Sequence, residues 1–162
     1  LKQIKVEQLE GYRPPIPDWN YFFWLGCSDE EYENFRKQKK PKTVMYEAFG
    51  EKFPIQLKVD KYSMTGNLAI EMVNWKHRYP SSWAALTVDL NEVCEKDCSY
   101  VDTNHHGRKI LSWIIENGLG EVTGQRNRSG YCTYEKIRFY PEKLKDCDPE
   151  GYQRYKIKFE ET

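Results

Sequence analysis

The stretch from Ser99 to Tyr140 constrains this chain most. Tyr100, Val101 and Asp102 end one extended segment, and Thr103 or Asn104 can cap a helix that follows. Ile110, Leu111, Ile114 and Ile115 give that helix an apolar stripe at helical spacing. Asn117-Gly118 stops it. Gly120, Gly124 and Gly130 then punctuate a connecting loop before Tyr131-Cys132-Thr133-Tyr134 returns as a strand. Such an order calls for a helix laid on an antiparallel sheet.

Upstream the pattern changes to period two. Val44, Tyr46 and Ala48 alternate, as do Phe53, Ile55, Leu57 and Val59, with a hairpin turn expected at Gly50-Glu51. Thr65-Gly66-Asn67 marks another turn before Leu68, Ile70 and Met72. A longer connection over 75–82 leads to a strand carrying Ala84, Leu86, Val88 and Leu90. In the tail, Tyr155, Ile157 and Phe159 also alternate and predict a last strand after a Lys143–Gly151 loop.

The first forty residues read differently. A Pro14-Pro15-Ile16-Pro17 run favours an extended path, and Trp19, Tyr21, Phe22, Phe23, Trp24 and Leu25 form the most apolar patch in the chain. That patch either packs over the core or serves as a contact surface. Ser28 and Glu31 make a capping box for a helix over 29–39, acidic at its start and basic at its end as the helix dipole prefers.

At 162 residues the chain fits one domain and can bury about 70% of its unfolded surface without staples. Basic and acidic residues balance at 25 each, against both a nucleic-acid mimic and a generally basic nucleic-acid coat. Five cysteines, an odd number, favour reduced thiols in a cytoplasm over a disulfide framework. No run approaches the 18 apolar residues of a membrane span.

Three constellations carry possible chemistry. Cys94 and Cys98, with His105, His106 and Cys132, hold the atoms of a zinc site or a thiol nucleophile with its base, but the spacing matches no known knuckle. Isolated thiols and exposed or capping histidines are the plainer reading. Arg126 and Arg128, bracketed by glycines, can grip a phosphate or carboxylate, helped by Arg108 and Lys109. A solvated connecting loop is the plainer reading. The third is the aromatic segment, with Trp19, Tyr21 and Trp24 as contact candidates. No hydrolase elbow, dinucleotide, P-loop or EF-hand signature is present.

An ordered set of short motifs gives a resemblance: Asn67-Leu68-Ala69-Ile70, Ala85-Leu86-Thr87-Val88-Asp89-Leu90, Tyr100-Val101-Asp102-Thr103-Asn104, Glu116-Asn117-Gly118-Leu119-Gly120, Thr123-Gly124 and Ser129-Gly130-Tyr131-Cys132-Thr133-Tyr134. Over roughly 46–140 the chain resembles an uncharacterised domain family of small proteins from gut bacteria, often in their conjugative elements and phages. It departs from that pattern at Glu135, where a proline is expected, and at His105-His106. The resemblance implies no catalytic residues. It implies an accessory gene of a mobile element, and such proteins often act by binding another protein.

The expected fold is α+β: an antiparallel sheet of about five or six strands, a helix at about 104–117 on one face, and a second helix at 29–39. Residues 1–42 form an elaboration, 43–140 the core and 141–162 a tail strand of a single domain. The expected function is non-enzymatic binding of a protein partner in the cytoplasm, with no cofactor and no membrane. Nucleic-acid or anion binding by the arginine loop is the alternative, and a small thiol- or zinc-dependent enzyme the third reading.

Overall fold

A computed structural model describes residues 41–77 and 80–160, together with Glu30. The expectations for Trp19, Tyr21 and Trp24 lie outside the described residues, as does the 29–39 helix apart from helical, exposed Glu30. The α+β class holds, and among the described residues there are eight strands in two antiparallel sheets rather than five or six in one.

The first sheet holds β1 (Val44–Ala48), β2 (Glu51–Lys61), β3 (Leu68–Asn74) and β4 (Ser81–Ala85) in that spatial order. Its alternation decides which face is buried. Ile55, Leu57, Val59, Leu68, Ile70 and Met72 are all at most 2% exposed, and Leu57 pairs with Met72 as Val59 does with Ile70. The β1–β2 turn falls one residue earlier than expected, at Phe49-Gly50, and both residues have positive φ (54° and 75°). That is the type I′ pattern, whose twist matches the strands it joins.

The second sheet holds β5 (Thr87–Val88), β6 (Cys98–Val101), β8 (Cys132–Phe139) and β7 (Gly120–Ser129), with β7 at its edge. The single strand expected through Ala84, Leu86 and Val88 therefore splits between sheets. Leu86 is the corner: its N–H donates to Ile70 O and its carbonyl accepts from Asp102 N–H, both at 2.9 Å. A bulge between Met72 and Val73 lets the strand turn. The apolar faces of both sheets then enclose one core with Val101, Ile110, Ile114, Ile137, Phe139 and Leu144.

The expected 104–117 helix is two helices, α1 (Thr103–His106) and α2 (Lys109–Glu116). Asp102, rather than Thr103 or Asn104, is the cap, and its carboxylate accepts from His105 N–H at 3.1 Å. Gly107, with φ 81°, breaks the helix between them. The stripe of Ile110, Leu111 and Ile114 is buried as expected, whereas Ile115 is half exposed. Trp113 donates its indole N–H to Met45 O at 2.8 Å, so α2 lies beside β1.

The tail is not a strand. Pro141–Cys147 forms α3 and Pro149–Glu160 forms α4. The reason is a start signal that outweighs the alternation of Tyr155, Ile157 and Phe159. Asp148 accepts from Gly151 N–H at 3.0 Å, the helix-capping bond, and Pro149 follows it at the first helical position. The other Asp148 oxygen accepts from Val59 N–H at 2.9 Å, beyond the part of β2 that β1 covers. Tyr152 and Tyr155, one helical turn apart, are buried and hold Asp97 from two sides. Tyr152 O–H donates to the Asp97 carboxylate and Asp97 N–H donates to the Tyr155 oxygen, each at 2.8 Å.

Candidate functional site

The arginines expected in a loop stand on a strand. β7 pairs with β8, but its register jumps from Val122↔Ile137 to Arg126↔Glu135. Gly124, at φ 85°, sits in the resulting bulge, so the glycine that suggested a loop serves an irregular strand. Arg126 and Arg128 lie beyond it, paired regularly with Glu135 and Thr133 up to the Gly130-Tyr131 turn. Tyr131, at the tip, is fully exposed.

Glu135 joins two distant candidates. It lies two residues along the same strand face from core residue Ile137, and it is 5% exposed. One carboxylate oxygen takes the Arg108 guanidinium at 2.8 Å and the other takes Arg126 Nε at 3.2 Å. α1 rests on this end of β8 through a Thr103 hydroxyl to Thr133 O contact at 3.5 Å, and the Gly107 break then brings Arg108 over Glu135. Both arginine side chains remain open, at 68% and 62% exposure. Each commits one nitrogen to Glu135, and a guanidinium has five N–H donors. Among the described residues no carboxylate pairs with Arg128 or Lys109. Two guanidinium groups thus share one carboxylate. Arg108 and Lys109 also open α2, whose first turn has no acidic residue, against the helix-dipole preference. Chemically, the group is a hydrogen-bond donor array for an oxyanion.

The opposite face of β8 is closed. Lys136 is 2% exposed, and its ammonium donates to Glu95 at 3.0 Å and Gln125 at 2.7 Å over the Tyr100 ring. Glu92 accepts from Tyr100 O–H at 2.6 Å and from Asn127 at 2.9 Å. Asn67 fastens the same covering segment through Cys94 N–H and Glu92 O. Beneath it Cys94, Cys98, Tyr100 and Tyr134 pack together, with Cys132 half-buried at the margin.

The thiol and metal candidates are not assembled into a site. Burial pushes the Cys94 thiol up to about 11 and also raises Cys98, which keeps both protonated and poorly nucleophilic. His106 is buried with Nε2 2.7 Å from Ala85 O, and His105 is exposed. Among the described residues no group of three or more His, Cys, Asp or Glu could hold a metal ion. Nor, among them, is any helix long and apolar enough to cross a membrane.

Glu135, Lys136 and Tyr131 were not singled out as site residues by the sequence. A signal for Glu135 existed: Ile137 and Phe139 alternate, so the same face of β8 carries Glu135. No curated protein and no solved structure matches the chain. A family profile does match, over residues 56–159, which span most of β2 through α4 and so include both faces of β8. The match takes in the tail beyond 141, further than the motif resemblance reached. This chain belongs to the family described as Domain of unknown function (DUF4313).

Proposed function

We propose that this chain is a non-enzymatic accessory protein of a mobile element, working in the cytoplasm by binding a protein partner through the Arg108–Arg126–Arg128 surface. One observation carries the choice of surface. Arg108 and Arg126 are held by buried Glu135 while staying largely exposed. Pre-set guanidinium groups lose less side-chain freedom on binding than free ones. Arginine and tyrosine are also the residues that dominate contact energies, and Tyr131 is exposed on the same hairpin. The mobile-element setting rests on the motif resemblance alone.

Affinity capture with the whole chain from the native host, repeated with Arg126→Ala and Arg108→Ala, tests this reading. A partner retained by the parent chain and weakened at least tenfold by either substitution supports it. A partner unaffected by both places the working surface elsewhere, and Trp24→Ala then tests the aromatic segment. The exposed Tyr131 beside the arginines also favours a second reading, single-stranded nucleic acid, in which the ring stacks on a base. With four cations engaged, log affinity would fall with log salt at a slope of about −3. Absence of binding to single-stranded DNA and RNA at low salt removes that reading.

A further inference from the structure

We infer that the partner segment received here is an extended acidic peptide whose carboxylates alternate along the chain, and that Glu135 sets the geometry of the site that reads them. This rests on the protein-binding reading above and deepens it. Arg126 and Arg128 lie two positions apart on one face of a regularly paired part of β7. Same-face residues of a strand repeat every 6.8 Å or so, and an extended peptide with acidic residues at alternate positions has the same repeat. Each carboxylate can then meet one arginine, and Arg108, tied to Arg126 through Glu135, adds a second fork at one end. The overall charge supports a short acidic segment over a polyanion. The chain is neutral as a whole, and the surface sets two guanidinium groups on one carboxylate with Arg128 two positions along β7.

A second copy of this chain is a poorer occupant. Among the described residues β7 is an edge strand, and two β7 edges meeting antiparallel around Asn127 would set Arg126 opposite Arg128 twice over. Like charges directly opposite are destabilising, so the charges that disfavour self-pairing favour an acidic segment.

The test uses the full chain and two synthetic peptides of equal charge, one alternating Glu and Ser, the other with its Glu residues in one block followed by its Ser residues. Titration calorimetry is expected to show the alternating peptide binding at least fivefold tighter. Arg126→Ala and Arg128→Ala should each weaken it at least fivefold. Glu135→Gln should erase the preference for the alternating peptide while leaving the melting temperature within a few degrees, and Arg126→Lys should recover only part of the affinity because a lysine lacks the fork. Equal affinity for both peptides overturns the inference, as does an unchanged preference in Glu135→Gln or tighter binding of an oligothymidylate of equal charge. Failure here is distinct from failure of the broader reading. If a captured partner is lost in Arg126→Ala but is not displaced by the alternating peptide, the surface stands and the acidic-segment inference falls.

Discussion

Glu135 and Lys136 are consecutive in β8 and are 5% and 2% exposed, yet they end in opposite situations. On one face, Lys136 is enclosed by Glu95, Gln125 and the Tyr100 ring, under a segment fastened at Asn67 and Glu92. On the other, Glu135 holds two arginines whose outer edges face water. A buried charge must be compensated on either face. The partners are exposed side chains on both faces, so exposure does not separate them. Charge does: on one face one carboxylate and a neutral amide balance one ammonium, whereas on the other two guanidinium groups outnumber one carboxylate and leave positive charge on the surface.

The contrast can be broken by measurement. The largest effect is expected from Lys136→Ala, which strips Gln125 and Glu95 of their donor and opens the packing on Tyr100. It should cost about 1–3 kcal/mol in urea unfolding. Gly124→Ala should follow at about 1–2 kcal/mol, since the residue has φ 85°. It should also weaken partner binding if the bulge aims Arg126.

The closed face should be sensitive to alkali. Burial lifts the Cys94 thiol from 9.0 to about 11, so the stability its neutral form contributes is whole below pH 9 and is lost as pH rises toward 11. Lys136 acts in the same direction. Desolvation pulls its ammonium down, but the Glu95 hydrogen bond and nearby charges outweigh it and raise it above its ordinary 10.5. The melting temperature should fall by a few degrees across that window, and Cys94→Ala should flatten the fall. The smallest stability change belongs to Glu135→Ala, under about 1 kcal/mol, because both arginines can turn to water. A loss as large as that of Lys136→Ala would erase the distinction between the faces.

Local signals carried much of this fold. The Leu68–Ile70–Met72 alternation, the Ile110–Ile114 stripe and the Asn117-Gly118 stop are decided within a few residues, and each stands where the pattern puts it. The tail failed because two periodicities compete there. Tyr155 and Ile157 suggest a strand, while Tyr152 and Tyr155 fit one helix face, and the Asp148-Pro149 start decides between them. Gly124 misled in a related way, since a glycine with positive φ serves a bulge as well as a loop. Arg108 and Arg126 could be named from composition and position. Their meeting at Glu135 could not, because it depends on how the α1–α2 break lies over β8.

The Asp148 contacts carry a consequence for the order in which the molecule can be made. Val59 waits for a partner 89 residues later in the chain, and Asp97 for one 58 residues later. During synthesis, β2 and β3 can pair early, but the part of β2 beyond β1 keeps an open edge until α4 has left the ribosome. Long-range closures of this kind slow folding and expose strand edges to stray pairing. A ribosome stalled before residue 148 should therefore hold a nascent chain that binds chaperones and is cut readily by protease. One stalled far enough past residue 155 to free α4 should resist both.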